Sequence, residues 1–143
     1  MENCAFCRIV RGELPSVKLF EDDRILAFLD VAPINPGHSL IIPKEHHASL
    51  TTVPDALLEG MMRLVPRLGQ AVVRVVDGDG FNLHLANGQC AGQVILHTHL
   101  HVIPRLGTDG FSWGWRSRPY ASEDERIRLA GKIYERLDGL GPL

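Results

Sequence analysis

Three histidines at alternate positions, His97, His99 and His101, lie in the run HTHLHVIP. On a β-strand, residues two apart share a face and sit roughly 6.5–7 Å from one another, so the sequence predicts three imidazoles in one row. Near neutral pH an imidazole is a nucleophile, a proton donor or a metal ligand, and a row of this spacing can act on one phosphate-sized group. Three chemistries fit the row: ligation of a hydrolytic zinc with an open coordination position, packing of a bland surface or core run, and nucleophilic catalysis by one ring. Burying three polar rings without partners is costly, which weighs against the second. A C-x-x-C pair, Cys4 and Cys7, adds a metal-binding candidate. With Cys90 it makes three cysteines, an odd count that speaks against a secreted disulfide framework. A redox role for the pair would need a preceding strand, and none is expected so close to the N-terminus. Cys90 reads as a small loop residue.

The elements that must hold these residues follow from periodicity. VKLFEDDR and ILAFLDV read as a hairpin whose second strand puts Leu26, Phe28 and Asp30 on one face and Ile25, Ala27 and Leu29 on the other. APINPGH is a loop by its Pro and Gly content, SLIIP a short strand, and Lys44 to Leu50 one helical turn. From Asp55 to Val76, Leu58, Met61, Met62, Val65, Leu68, Val72, Val75 and Val76 recur at helical spacing, with Pro66 expected to kink the helix. FNLHLA alternates as a strand, NGQCAGQ is a Gly-rich turn, and VILHTHLHVIP is a long strand carrying the histidines. Ser122 and Glu125 mark the start of a last helix. About five strands in hairpin-length connection, one long central helix and a C-terminal helix predict an α+β fold with an antiparallel sheet. We expect a single domain over residues 1–143, with the histidine motif at 97–103 and a C-terminal loop and helix at 105–140.

Composition narrows the partners. The 143 residues carry a formal net charge of −2, with 45% apolar and 22% charged residues, and no basic stripe suited to counterion release from a nucleic acid polymer. No stretch reaches the ~18 apolar residues of a membrane span and no leader is apparent, so a cytoplasmic location is expected.

At this level of detail the chain resembles the histidine triad family, and within it the short bacterial Hint-type branch. The resemblance rests on His97-Thr98-His99-Leu100-His101-Val102-Ile103, with Thr98 in the first apolar slot, and on Cys4-x-x-Cys7-x-Ile9-Val10-x-Gly12-Glu13-x-Pro15-Ser16, Ala27-Phe28-Leu29-Asp30, Gly37-His38-Ser39-Leu40-Ile41-Ile42-Pro43-Lys44 and Gly92-Gln93. It implies a HIT-like fold and a homodimer. It further implies a nucleotide hydrolase or transferase acting at the α-phosphate of purine nucleoside 5′-phosphate derivatives, phosphoramidates or acyl-adenylates, through a covalent nucleotidyl-histidine. Diadenosine polyphosphate hydrolysis is the alternative reaction, and a non-catalytic nucleotide-binding regulatory module the alternative of another class. By resemblance His99 is the nucleophile, oriented by the carbonyl of His97, and His101 binds phosphoryl oxygens. Phe28 and Asp30 take base and ribose, while Asn87, Gly92 and Gln93 join the phosphate side. The resemblance also implies a structural zinc held by Cys4, Cys7, His46 and His97, with no organic cofactor; at ~7 Å from His99 such an ion is scaffold. His47 reads as solvated, His84 as locally bonded, and His38 as a support for the site. Val94 departs from the Ser or Thr that many Hint-type members carry after the glutamine. Phe111 to Trp115 are expected, by analogy, to close a pocket across the dimer.

Overall fold

The computed structural model describes residues 3–112, 114 and 116–139. They fall into two compact units divided after Phe111. The first unit carries helices α1 (Ala5–Val10) and α2 (Asp55–Val75) and strands β1 (Lys18–Glu21), β2 (Ile25–Leu29), β3 (Ser39–Pro43), β4 (Gly80–His84) and β5 (Leu100–Arg105), with single 3-10 turns at Leu50–Thr52 and Gln89–Ala91. The second unit contains α3 (Glu123–Asp138), whose capping box forms as expected: Glu125 N–H donates to Ser122 Oγ, and Ala121 N–H donates to the Glu125 carboxylate.

The sheet is antiparallel throughout, in the order β1-β2-β3-β5-β4. Its central strands β2 and β3 are almost wholly buried, which explains their continuous apolar runs. Alternation sends Ile25, Ala27, Ile41, Leu100 and Val102 to one face, where they meet Leu57, Met61, Leu64, Val65, Leu68 and Val72 of α2. Leu26, Phe28, Leu40 and Ile42 go to the other, against Phe6 of α1. The long helix therefore covers one side of the sheet, and the short N-terminal helix lies across the other. Register then draws a line over the second face, because Phe28 pairs with Leu40, Leu40 with His101, and His101 with His84.

Three expectations need correction. The buried stripe of α2 includes Leu57 and Leu64, whereas Met62 and Val75 are exposed; either set repeats at helical spacing, and only packing against the sheet chooses between them. The helix runs on through Pro66, which lies on its solvent side. The long strand expected for residues 94–104 begins only at Leu100, so His97 and His99 precede it in irregular backbone. The helical turn expected over residues 44–50 forms later, as the 3-10 turn Leu50–Thr52.

Candidate functional site

The alternation of the histidine segment survives the loss of regular strand. Leu100 and Val102 point to α2, while His99 and His101 face the opposite side with ring centroids 4.9 Å apart. Thr98, the residue that breaks the apolar pattern, is buried yet satisfied: its N–H and its hydroxyl both donate to the His47 carbonyl, at 2.6 and 2.9 Å. That double bond fixes the stretch between His97 and His99 without a ladder.

His99 is 7% exposed, and its Nδ1–H donates to the His97 carbonyl at 2.6 Å. The neutral ring therefore keeps its lone pair on Nε2. His101 is set by a longer chain of donors. The Ile34 N–H donates to His38 Nδ1 at 3.1 Å, which places the His38 proton on Nε2. Nε2–H in turn donates to His101 Nδ1 at 2.9 Å, leaving the His101 proton on its own Nε2. Burial lowers the pKa of both rings, His101 to about 4, so both are neutral at pH 7 and the tautomers hold. Asp30 stands beside them, its Oδ2 3.6 Å from His38 Nε2 and 4.0 Å from His101 Nδ1, while its Oδ1 accepts from the Ala32 N–H. Asp30, His38 and His101 lie close enough to share an ion. The proton that Ile34 forces onto His38 Nε2 occupies the place such an ion would need.

These groups line a cavity of about 630 Å³ with Phe6 and Ile9 of α1, Phe28 of β2 and Leu40 of β3. Phe6 is the hub, edge-on to Phe28, His97 and His99 at centroid distances of 5.8, 5.7 and 5.2 Å. Neither it nor Ile9 was among the residues expected at the site; their three-residue spacing on a short helix was the available signal. Gly92, His99, His101, Phe28 and Asp30 all border the cavity. Asn87 and Gln93 are placed otherwise. Asn87 Oδ1 accepts from Leu50 N–H and Ser49 Oγ, and the buried Gln93 amide donates to the Ala48 and Ile95 carbonyls while accepting from Gly88 N–H. Both side chains are spent on holding the loop in place, and neither borders the cavity.

Behind Phe6, a second constellation gathers Cys4, Cys7, His46 and His97. Sulfur-to-nitrogen separations there are 3.3 Å for Cys7 and His46, 3.5 Å for Cys4 and His97, and 3.7 Å for Cys7 and His97. A tetrahedral ion with bonds of about 2.3 Å to sulfur and 2.0–2.1 Å to nitrogen sets those atoms about 3.6 Å apart, so the four groups fit one. His97 is fully buried, and its Nε2–H donates to the Pro43 carbonyl at 2.8 Å. Its Nδ1 lone pair thus points at the thiols. Burial holds its pKa down near about 4, and burial raises that of the Cys7 thiol. His47 proves buried, not solvated, with Nε2 3.6 Å from the Glu45 carboxylate. His84 borders His101 at 5.7 Å between centroids. Phe111 packs under Arg105, whose guanidinium lies 4.1 Å from its ring; Trp113 and Trp115, the other aromatic residues of the segment expected to close a pocket, lie outside the described residues.

The fold recurs among known proteins. A solved HIT family structure from Bacillus subtilis superimposes with a TM-score of 0.85 at 36% identity, covering 94% of this chain and 96% of that one. A zinc-bound histidine triad protein from Mycobacterium smegmatis matches at 34% identity and a TM-score of 0.74, over 97% and 98% of the two chains. Among sequences, an adenylylsulfatase, HINT3 of Arabidopsis thaliana, is 49% identical over 75% of this chain; the match spans 54% of that protein's length. An adenosine 5′-monophosphoramidase, HNT1 of Candida albicans, is 36% identical over 94% of this chain and 89% of its own. The model of the HIT domain matches residues 11–108, which hold the whole histidine row together with Phe28, Asp30 and His38, and the chain belongs to that family.

Proposed function

We propose that this protein hydrolyses nucleoside 5′-phosphate derivatives at the α-phosphate, purine nucleoside phosphoramidates or acyl-adenylates, through a nucleotidyl intermediate on His99. The observation that carries the reading is the 2.6 Å bond from His99 Nδ1–H to the His97 carbonyl, which leaves Nε2 as the free nucleophile on a ring that borders the cavity. Relatives named for adenosine phosphoramidate and adenylylsulfate hydrolysis support the choice of phosphorus centre.

In the first half-reaction His99 Nε2 attacks the α-phosphorus and the bond to the leaving group breaks, the electron pair departing with that group. The imidazolium so formed keeps its Nδ1–H on the His97 carbonyl, which stabilises the positive ring. The His101 Nε2–H, set by the relay from Ile34 through His38, donates to a phosphoryl oxygen as charge builds there. Water then attacks phosphorus, returns the electron pair to His99 and releases the nucleoside monophosphate, its lost proton replacing the one that a leaving amine takes up from solvent. Phe28, Phe6 and Ile9 supply an apolar wall for the base, and Asp30 Oδ2 accepts from ribose hydroxyls.

Cys4, Cys7, His46 and His97 would hold a structural zinc, whose four protein ligands leave no open position for substrate. What it would supply is anchorage of α1, and hence of Phe6, to the histidine segment. Among the described residues the outer edges of β1 and β4 are unpaired in the sheet order, and we assign the β4 edge to pairing with a second copy, giving a homodimer. Sedimentation at micromolar concentration should show twice the chain mass; a monomer would remove that assignment.

The decisive experiment is incubation with adenosine 5′-phosphoramidate, quenching and intact-mass measurement. An added nucleotidyl mass mapped to His99, absent in His99→Gln, is expected together with release of adenosine monophosphate. Binding of nucleotide without adduct or turnover would instead identify a regulatory binding module.

A further inference from the structure

Two residues of helix α1 are buried, Phe6 and Cys7, and although they are neighbours in sequence they have different tasks. Phe6 walls the cavity, edge-on to Phe28 and His99. Cys7 joins Cys4, His46 and His97 in the cluster that fits a zinc. Local supports for the helix are few: its N-cap, Cys4, makes no side-chain capping bond, its first turn carries no acidic residue, and six residues fall short of a length that persists alone. A metal clasp at Cys4 and Cys7 therefore holds the helix that holds the wall. The two thiols are also placed to react with each other. By helix geometry, Cα atoms three residues apart lie about 5 Å from one another, inside the roughly 4.4–6.8 Å that a disulfide spans. Their Sγ atoms lie within 4.8 Å, and Cys4 is partly exposed, so a small oxidant can reach it.

We infer that Cys4 and Cys7 form a redox switch on nucleotide binding: joined as a disulfide, they release the metal and free α1 to withdraw Phe6 from the cavity. This rests on the structural-zinc reading above and on the cavity as the nucleotide site. A thioredoxin-like role wants a strand before the pair, and β1 begins only at Lys18; a switch on a metal clasp has no such need. The co-reactant is a low-molecular-weight disulfide such as oxidised glutathione. The Cys4 thiolate attacks one of its sulfurs and expels a thiolate, leaving a mixed disulfide. Cys7 then attacks the Cys4 sulfur and expels the second. Two electrons pass from the protein sulfurs to the small disulfide, which takes up two protons and departs as two thiols. Both anionic ligands are then lost, and the imidazoles of His46 and His97 alone do not make a closed zinc site. His97 keeps its Nε2–H on the Pro43 carbonyl, and its own carbonyl still accepts the His99 Nδ1–H. The loss therefore falls on the wall that Phe6 supplies and spares the nucleophile.

The test titrates the zinc-loaded Cys90→Ser chain with oxidised glutathione, the exposed third thiol being removed so that only the pair responds. Freed zinc is read with a colorimetric chelator, the disulfide by peptide mass, and binding of adenosine monophosphate by calorimetry well below the Tm. Zinc and Cys4–Cys7 disulfide should appear in equal amounts, and the Kd for adenosine monophosphate should weaken by about tenfold or more, with kcat at saturating phosphoramidate little changed. Dithiothreitol with added zinc should restore the starting affinity. Cys7→Ala in the same background should bind as weakly as the oxidised chain and ignore the oxidant, while circular dichroism shows it folded. Disulfide and zinc release with an unchanged Kd would overturn the switch and leave the zinc reading intact. A glutathione adduct on Cys4 that never resolves onto Cys7 would also overturn it. A chain that takes up no zinc would overturn the zinc reading and the switch together, whereas an adduct on His99 would keep the hydrolase reading in either case.

Discussion

At the scale of single residues, the site is a problem in tautomers. Each histidine of the row has one ring nitrogen committed to a partner with a fixed role: His97 to the Pro43 carbonyl, His99 to the His97 carbonyl, His101 to the His38 Nε2–H. The nitrogen left over decides what the ring can do, as ligand, nucleophile or donor. Removing the proposed nucleophile in His99→Gln should cut kcat by about 10³-fold or more, measured as nucleoside monophosphate release. His38→Phe removes the donor that sets His101 and should lower kcat by about 10²-fold with little change in KM; an unchanged kcat would show that His101 finds its tautomer alone. The same buried rings make stability depend on acidity. His101 titrates near pH 4 in the fold against an ordinary 6.5, and His38 is shifted in the same direction. Between those values the unfolded chain binds protons that the folded chain does not, so stability is full above pH 6.5 and declines as pH falls toward 4. Urea midpoints measured from pH 7.5 to 5 should fall accordingly, and less steeply in His101→Asn.

At the scale of elements, what matters is how closely they approach. Gly69 lets α2 lie against β4, since a Cβ there would come within 2.5 Å of the Phe81 ring. Gly69→Ala gains helix propensity of about 1 kcal/mol yet should still lower stability by about 1–3 kcal/mol through overpacking, read from thermal or urea unfolding. The loop before the histidine row is held from within by the buried amide of Gln93. Gln93→Ala strands the Gly88 N–H and two carbonyls, a loss of about 1–3 kcal/mol. Turnover should fall with it, because the same loop leads into His97 and His99. The Gln93→Glu variant, which keeps the acceptor and loses the donor, should fall between the two.

At the scale of the whole molecule, the N-terminal helix is a short element of six residues. It packs on the second face through Phe6, Ile9 and Val10, and its two cysteines reach His46 and His97 beyond them. A metal bound there ties residues 4, 7, 46 and 97 into one knot, so its removal should act on stability first. Chelation, or Cys4→Ser, should lower the Tm by about 5 °C or more, while the fraction still folded keeps its rate of adduct formation on His99. Loss of turnover from fully folded, metal-free protein would instead give the ion a part in the chemistry. Among the described residues no helix is long and apolar enough to cross a membrane.

Much of this was legible in the residues alone. The β2 pattern placed Leu26, Phe28 and Asp30 together, SLIIP marked β3 to the residue, Ser122 and Glu125 located the start of α3, and the alternation of histidines separated His99 and His101 from the core. These features are periodic and local, and a chain carries its own period. Long-range partners are another matter. Which stripe of α2 is buried, where β5 begins, that Phe6 packs against both histidine clusters, and that the Gln93 amide turns into its own loop were all decided by tertiary contact. Even the tautomer of His101 depends on the Ile34 N–H, 67 residues away in sequence. Spacing determined which residue types could meet a phosphate. Only the packed fold, by presenting each ring nitrogen with a donor or an acceptor, determined which atom is free to act.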